Sequence, residues 1–380
     1  MKVKKIVVWH EEFPMRVTFK HALAERNTSS SILTQVELFD GSLGYGECLP
    51  RPYVTGETIE SSLHAIKDII TPLVLKENFS DGASLKKFIL NLHDDEKIGK
   101  NLTAICAIEL ALIDALSKSQ KKNVYEFLGF EPQKRSVEYS LILSADNEEK
   151  IKKYVKLAKL IWVKNLKLKV TGSFEENENA LKIIRKYYPK SKVRVDANCI
   201  WSVEEATSQL NMMRNYQVVS CEQPIKKEDF SGLSTLVERF PDMLICVDES
   251  LCSYQDAKEL IDNKCTTLLN IRISKNGGLF NALRIYDYAK QNGIACQMGA
   301  QVGETAILSF YGRVFASITG DLMFHEGSFG ANLLKEDIVK KKYAFGFMGK
   351  ACSKARGYGN HLKIIPDIIE KYKINSIQIQ

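Results

Sequence analysis

From about residue 137 onward, apolar runs of four to six positions alternate with longer stretches whose apolar residues recur at helical spacing. Residues 137–143, 165–170, 192–196, 218–222, 244–248, 267–272 and 294–298 read as strands, and an eighth is expected near 322–326. Helical patterns fill 147–161 and the stretches near 174–188, 203–215, 227–239, 254–263 and 279–292. Ser202 with Glu205, and Ser253 with Asp256, fit the capping box that opens a helix. Such alternation predicts a parallel sheet closed as a barrel. Ahead of it, 5–9, 31–39 and 44–47 carry strand formers, with Asp40-Gly41 as a turn, so residues 1–60 predict a small antiparallel sheet. Pro50, Pro52 and Gly56 make 49–57 a loop, and 59–127 turns helical, most clearly over 104–116. Asp114 within that helix reads as a polar-face or buried, hydrogen-bonded acid. A boundary falls near 130–135, after Phe130-Glu131-Pro132. From about Lys341 the glycines at 346, 349, 357 and 359 break the pattern, and this tail is expected to return to the N-terminal sheet.

The strand ends carry the chemistry. Val193-Arg194-Val195-Asp196 ends in a carboxylate, and so do the strands reaching Glu222 and Asp248, each acid 26 residues after the last. That interval suits one strand, loop and helix of an α/β barrel, in which about 250 residues make eight units and the chemistry sits at the C-terminal rim. A single strand-end acid is ordinarily a helix cap or a solvated group. Three on consecutive parallel strands point instead to oxygen ligands of a hard cation, Mg²⁺ above others.

Lys167 and Lys169 alternate on one strand and so share a face. Inside a barrel a lysine needs a partner or a function, and a partly desolvated amine beside a divalent cation is a usable base. Arg272 ends the sixth strand. Arginine stays protonated, so it either holds a carboxylate or stabilises an enolate, or it forms a structural ion pair with a metal-site acid. Lys275 has the wrong parity from 272 to share that face unless the strand bulges. Asn276-Gly277-Gly278 offers backbone N–H groups at the next helix start, as an anion site or a plain turn. Glu304, His325 and Glu326 fall where the last strand-end loops should be, and Asn198, Glu249 and Arg51 complete the candidate substrate or supporting residues.

Composition changes little in this picture. The chain has 380 residues, 45% hydrophobic and 26% charged, and is long enough for two domains. The net charge of +7 is scattered among acids without a basic block, which argues against a nucleic-acid footprint. Nine cysteines without a C-x-x-C pair predict reduced core thiols and a cytoplasmic setting. No apolar run approaches the roughly 18 residues of a membrane span, and the run after Lys2, Lys4 and Lys5 is too short for a signal-peptide core. A small carboxylate is the expected partner, neither nucleic acid nor membrane.

Lys167-x-Lys169, Asp196-Ala197-Asn198, Glu222-Gln223-Pro224, Asp248-Glu249-Ser250 and Asn276-Gly277-Gly278, with Gly44-Tyr45-Gly46-Glu47 and Tyr53-Val54-Thr55-Gly56-Glu57 ahead of them, resemble the muconate lactonizing subgroup of the enolase superfamily over nearly the whole chain. The resemblance implies an α/β fold: a modified TIM barrel, (β/α)₇β, spanning 134–340, under an N-terminal α+β capping domain, 1–133, that the 341–380 segment completes. It implies that Asp196, Glu222 and Asp248 bind Mg²⁺ (Mn²⁺ being the substitute ion) and that the metal holds a substrate carboxylate. Lys169 would move the α-proton through an enediolate with Lys167 tuning it, and cap loops near 18–30 and 50–57 would choose the substrate. A homo-oligomer is also implied. Two departures stand out: Arg272 replaces the subgroup's usual second lysine, and Phe324-His325-Glu326-Gly327 replaces the Asp-x-Asp of dipeptide epimerases. One-base chemistry, cycloisomerisation or β-elimination, is therefore the leading expectation. Dipeptide or N-acyl amino acid epimerisation, with Lys275 or His325 as second base, is the alternative, and a non-catalytic metal- or carboxylate-binding protein is the reading of another class.

Overall fold

In the computed structural model the backbone is described for residues 1–21 and 24–380, and side chains for all but 17–26. Two long strands, β1 (Val3–His21) and β2 (Ala24–Leu38), pair antiparallel, and β3 (Leu43–Cys48) adds to β2 through the Asp40-Gly41 turn. Gly44 and Gly46 have a packing reason. The helix Leu102–Ser119 lies so close to β3 that a Cβ at Gly44 would sit 2.2 Å from the Ala111 carbonyl oxygen, and one at Gly46 2.0 Å from that of Ala107. Ala107, Ala111 and Ala115 give that helix the small-residue stripe the contact needs.

Past residue 130 come β4 (Ser136–Glu138) and β5 (Leu141–Ser144), so the single strand expected over 137–143 is broken in two. Then follow β6 (Asn165–Lys169), β7 (Lys192–Asp196), β8 (Val218–Glu222), β9 (Leu244–Val247), β10 (Leu268–Ile271) and β11 (Ala295–Met298). Helices Glu148–Leu160, Phe174–Tyr187, Val203–Arg214, Phe230–Arg239, Tyr254–Asp262, Leu279–Gln291 and Ala306–Thr319 separate and follow them. Both expected capping boxes are formed. The parallel sheet runs β11-β10-β9-β8-β7-β6-β5. The eighth strand is less than a strand: Met298 N–H donates to the Phe324 carbonyl, Glu326 N–H to Met298, and Ser140 N–H to His325. That thin ladder still joins the β11 edge to the β5 edge and closes the ring.

β12 (Lys350–Cys352) pairs with β4, and β13 (Lys373–Ile379) pairs antiparallel with β1, so the end of the chain rejoins the first sheet. Residues 49–57, expected as loop, hold a short helix, Pro52–Thr55, closed by Gly56 in the left-handed region. The Val54 carbonyl oxygen there lies 3.5 Å from Lys227 Nζ and 3.6 Å from Cys252 Sγ, which brings this part of the cap over the rim of β8 and β9.

Candidate active site

Side chains two residues apart on a barrel strand point the same way, and the interior of this barrel is correspondingly polar. From β6, Lys167 is buried with Nζ 2.9 Å from Asp196 Oδ2, 2.8 Å from Glu222 Oε1 and 3.0 Å from Glu326 Oε1. Burial opposes its charge, but the three acids outweigh that and hold its pKa well above the ordinary lysine value. Lys167 is a fixed cation.

Lys169 sits one step nearer the rim and is partly exposed, with Nζ 3.1 Å from Asn198 Oδ1 and 3.8 Å from Asp196 Oδ2. Asn198 is placed by a left-handed backbone (φ 45°). Its N–H donates to Asp196 Oδ1 and its Nδ2 to Glu249 Oε1. Gln223, also left-handed at φ 38°, accepts from the N–H groups of Asp248 and Ser250 and ties the ends of β8 and β9 together. Positive φ at non-glycine residues is uncommon, and here it serves to aim side chains at strand ends.

Asp196, Glu222 and Asp248 converge through shared donors: Lys167 bonds the first two, and Asn270 Nδ2 lies 3.0 Å from Glu222 Oε1 and 3.2 Å from Asp248 Oδ1. All three are buried. Burial would raise Asp196, yet Lys167 and Lys169 hold it below the usual carboxylate range. Burial among neighbouring carboxylates pushes Glu222 up to about 8. An all-oxygen set of buried carboxylates suits a hard divalent ion. Among the described residues, however, no three such groups stand ready to hold a metal as they are. Each is turned toward a cation of the chain itself. Arg272 Nη2 is bonded to Asp248 Oδ2 and stands 3.7 Å from Glu222 Oε1. Burial opposes its charge, but Asp248 and Glu222 raise its pKa further above the ordinary arginine value.

Several candidates belong elsewhere than the sequence suggested. Lys275, expected off this face, reaches it because the chain leaves β10 in a turn. Its Nζ donates to Asp248 Oδ1 at 2.8 Å, to the Asp248 carbonyl at 2.6 Å and to the Asn270 carbonyl at 3.1 Å. So bound and wholly buried, it braces Asp248, with its three N–H groups taken up by these three acceptors. His325 is turned away, its Nδ1 3.1 Å from the Glu138 carbonyl oxygen, with burial lowering its pKa to about 4. Arg51 is buried on the carbonyls of Ser30, Pro50 and Val302, where it fastens cap to barrel. Glu304 accepts from Gln301 N–H and is raised to about 8 by burial. Glu326 lies under the site on Lys167 and Arg194, and Glu249 holds Asn198. The Asn276-Gly277-Gly278 helix start is already taken by an acid of the chain: Phe280 N–H donates to Glu109 Oε1 at 2.9 Å, and a Cβ at Gly278 would fall 2.1 Å from Glu109 Oε2. Of the suspected loops, the side chains of 18–26 lie outside the described residues.

Three interior residues escaped the sequence reading. Arg194 bonds Glu326 and Ser140, Asn270 bridges two of the acids, and Gln297 Nε2 donates to Glu222 Oε2 at 3.0 Å. Parity held the signal, since Arg194 is two before Asp196 and Asn270 two before Arg272.

A closed parallel barrel with acids at three adjacent strand ends and an amine beside them is the architecture of an α/β-barrel enzyme. Residues 3–129 match the mandelate racemase / muconate lactonizing enzyme N-terminal domain, and 149–363 match the enolase C-terminal domain-like family. The chain belongs to this branch of the enolase superfamily. It is 28% identical over 312 residues to a hydrophobic dipeptide epimerase of Enterococcus faecalis, covering 81% of this chain and 84% of that one. The solved N-succinyl Arg/Lys racemase of Bacillus cereus superposes with a TM-score of 0.89 at 23% identity, covering all of both chains. A dipeptide epimerase of Cytophaga hutchinsonii, solved with Mg and the dipeptide D-Ala-L-Val, superposes at 0.88 with 21% identity over all of both chains.

Proposed function

We propose that this chain is a Mg²⁺-dependent epimerase or racemase that removes and returns the proton next to the carboxylate of an amino-acid derivative, a dipeptide or an N-acyl amino acid. The observation that carries the reading is Lys169, whose amine stands at the edge of the carboxylate cluster, opposite Arg272. Counting the closing segment, three strands separate β6 from β10 either way around the ring. A carboxylate substrate between them would expose one face of its α-carbon to each. The substrate class is supported by relatives named as dipeptide epimerases and N-succinyl amino acid racemases. The cycloisomerase expectation has weaker support of this kind.

Asp196, Glu222 and Asp248 would hold the ion, which supplies positive charge where negative charge grows on the substrate carboxylate. Lys169 takes the α-proton on one face, with Asn198 holding its Nζ in position. Inversion would need the protonated Arg272 to give one back on the other, the roles exchanging in the reverse direction. Lys167, locked in its charged form, balances Asp196 and Glu222 and leaves proton transfer to its neighbour. Arg272 favours a second reading. Held positive by two acids, it is a poor acceptor for a proton on the far face, which suits one-base chemistry without inversion.

The test uses dipeptides and N-succinyl amino acids with Mg²⁺ in D₂O. The expected result is α-deuterium in both epimers, with Lys169→Ala lowering exchange by about 10²-fold or more. Exchange with one configuration kept would select the one-base reading. Absence of exchange or conversion in every derivative would overturn both.

A further inference from the structure

Asp248 has no vacant oxygen. Lys275 Nζ and Asn270 Nδ2 both lie on Oδ1, and the guanidinium of Arg272 lies on Oδ2 and leans toward Glu222. The two acids Arg272 touches are two of the three that the proposed function gives to the metal. We propose that Arg272 is a tethered stand-in cation: it occupies Asp248 while the ion is absent, must leave when the ion arrives, and is thereby released to face the substrate.

Electrostatics and sterics both oppose joint occupancy of Asp248. A guanidinium and a divalent ion cannot share one buried carboxylate oxygen, because two positive charges a few ångströms apart in a poorly screened site repel strongly. Left without either, Asp248 would depend on Lys275 and Asn270 alone, and an under-compensated buried carboxylate is costly. The seat is shaped for Arg272. Gly299 at the end of β11 leaves room for it, since a Cβ there would lie 2.9 Å from Arg272 Cγ and 2.3 Å from Asn270 Oδ1. The guanidinium is held from its Nη2 end, and its buried Nε–H has no hydrogen-bond partner among the described residues. Lys275 is the contrast, for its three acceptors keep it on Asp248.

This rests on the metal reading above, so the test uses the metal alone, with no substrate. Mg²⁺ affinity is measured by calorimetry, and Mn²⁺ affinity by the loss of free-ion paramagnetic resonance, for the native chain, Arg272→Met and Arg272→Lys. If the guanidinium blocks about nine sites in ten, the native affinity is about tenfold weaker than that of an open site. Arg272→Met should therefore bind about tenfold tighter than native, with Arg272→Lys between the two. Mere structural damage would weaken binding, so the direction is diagnostic. Equal or weaker binding by Arg272→Met, with native binding intact, overturns the stand-in and leaves the metal reading standing. No binding by any of the three chains overturns both. The metal-free thermal midpoint gives a second readout: Arg272→Met should unfold below native without metal and recover with it, and a midpoint equal to native without metal counts against the proposal.

Discussion

Glu109 shows how much a single buried side chain does far from any chemistry. It lies in the cap helix, yet its carboxylate receives the first N–H groups of the barrel helix that follows β10. Burial pushes its pKa from 4.5 to about 8, with the backbone N–H groups working the other way. The folded chain thus keeps the proton up to about pH 8, whereas the unfolded chain releases it near 4.5. The stability tied to that proton is present at acid pH and lost as pH rises from about 4.5 to 8. Glu109→Gln, which cannot titrate, should flatten that part of the stability curve when denaturation midpoints are compared across the range. An unchanged slope would count against the assignment. Nothing local announces this acid, because its partner is 171 residues away. Asp196, Glu222 and Asp248 were legible because their regular recurrence is itself a sequence signal. Lys275 reaches the face that strand parity alone denied it, because the strand ends at Ile271 and parity holds only while the backbone remains a strand.

Among the elements, most barrel strands and helices were readable to within a few residues, since one period governs each, but the apolar helix Ala306–Thr319 was not read and the 137–143 strand is two. The closing segment at 322–326 is so thinly bonded that its strand character is weaker than its apolar run suggests. The 49–57 stretch holds a helical turn because Pro52 suits a first helical position and Gly56 a left-handed stop. The contact between β3 and the Leu102–Ser119 helix is the tightest joint in the cap and the easiest to test. Gly46→Ala would drive a methyl against the Ala107 carbonyl at 2.0 Å. It should cost roughly 1–3 kcal/mol, the usual range for overpacking, in equilibrium denaturation. A neutral result would mean that the helix can slide.

At the scale of the whole molecule, cap and barrel are stitched by buried acids. Glu47 on β3 accepts from Thr305 N–H and Leu308 N–H at the start of the Ala306–Thr319 helix, as Glu109 does at the helix before it. The cap contribution of Pro52–Thr55 over β8 and β9 therefore hangs on a rigid frame. Removing residues 373–379 should lower the thermal midpoint and raise light scattering on heating, because β1 would lose its outer partner and gain an open edge. Unchanged scattering would show that the edge is guarded some other way.

That pairing of β13 with β1 also dictates an order of events. Residues 6–11 find their last neighbours more than 360 positions downstream, so the cap sheet gains its outer strand only when the far end of the chain reaches it. Contacts between such distant parts of a chain form slowly. Until they do, the cap lacks its outer strand, and the sheet that is completed last is not the one that carries Asp196, Glu222 and Asp248.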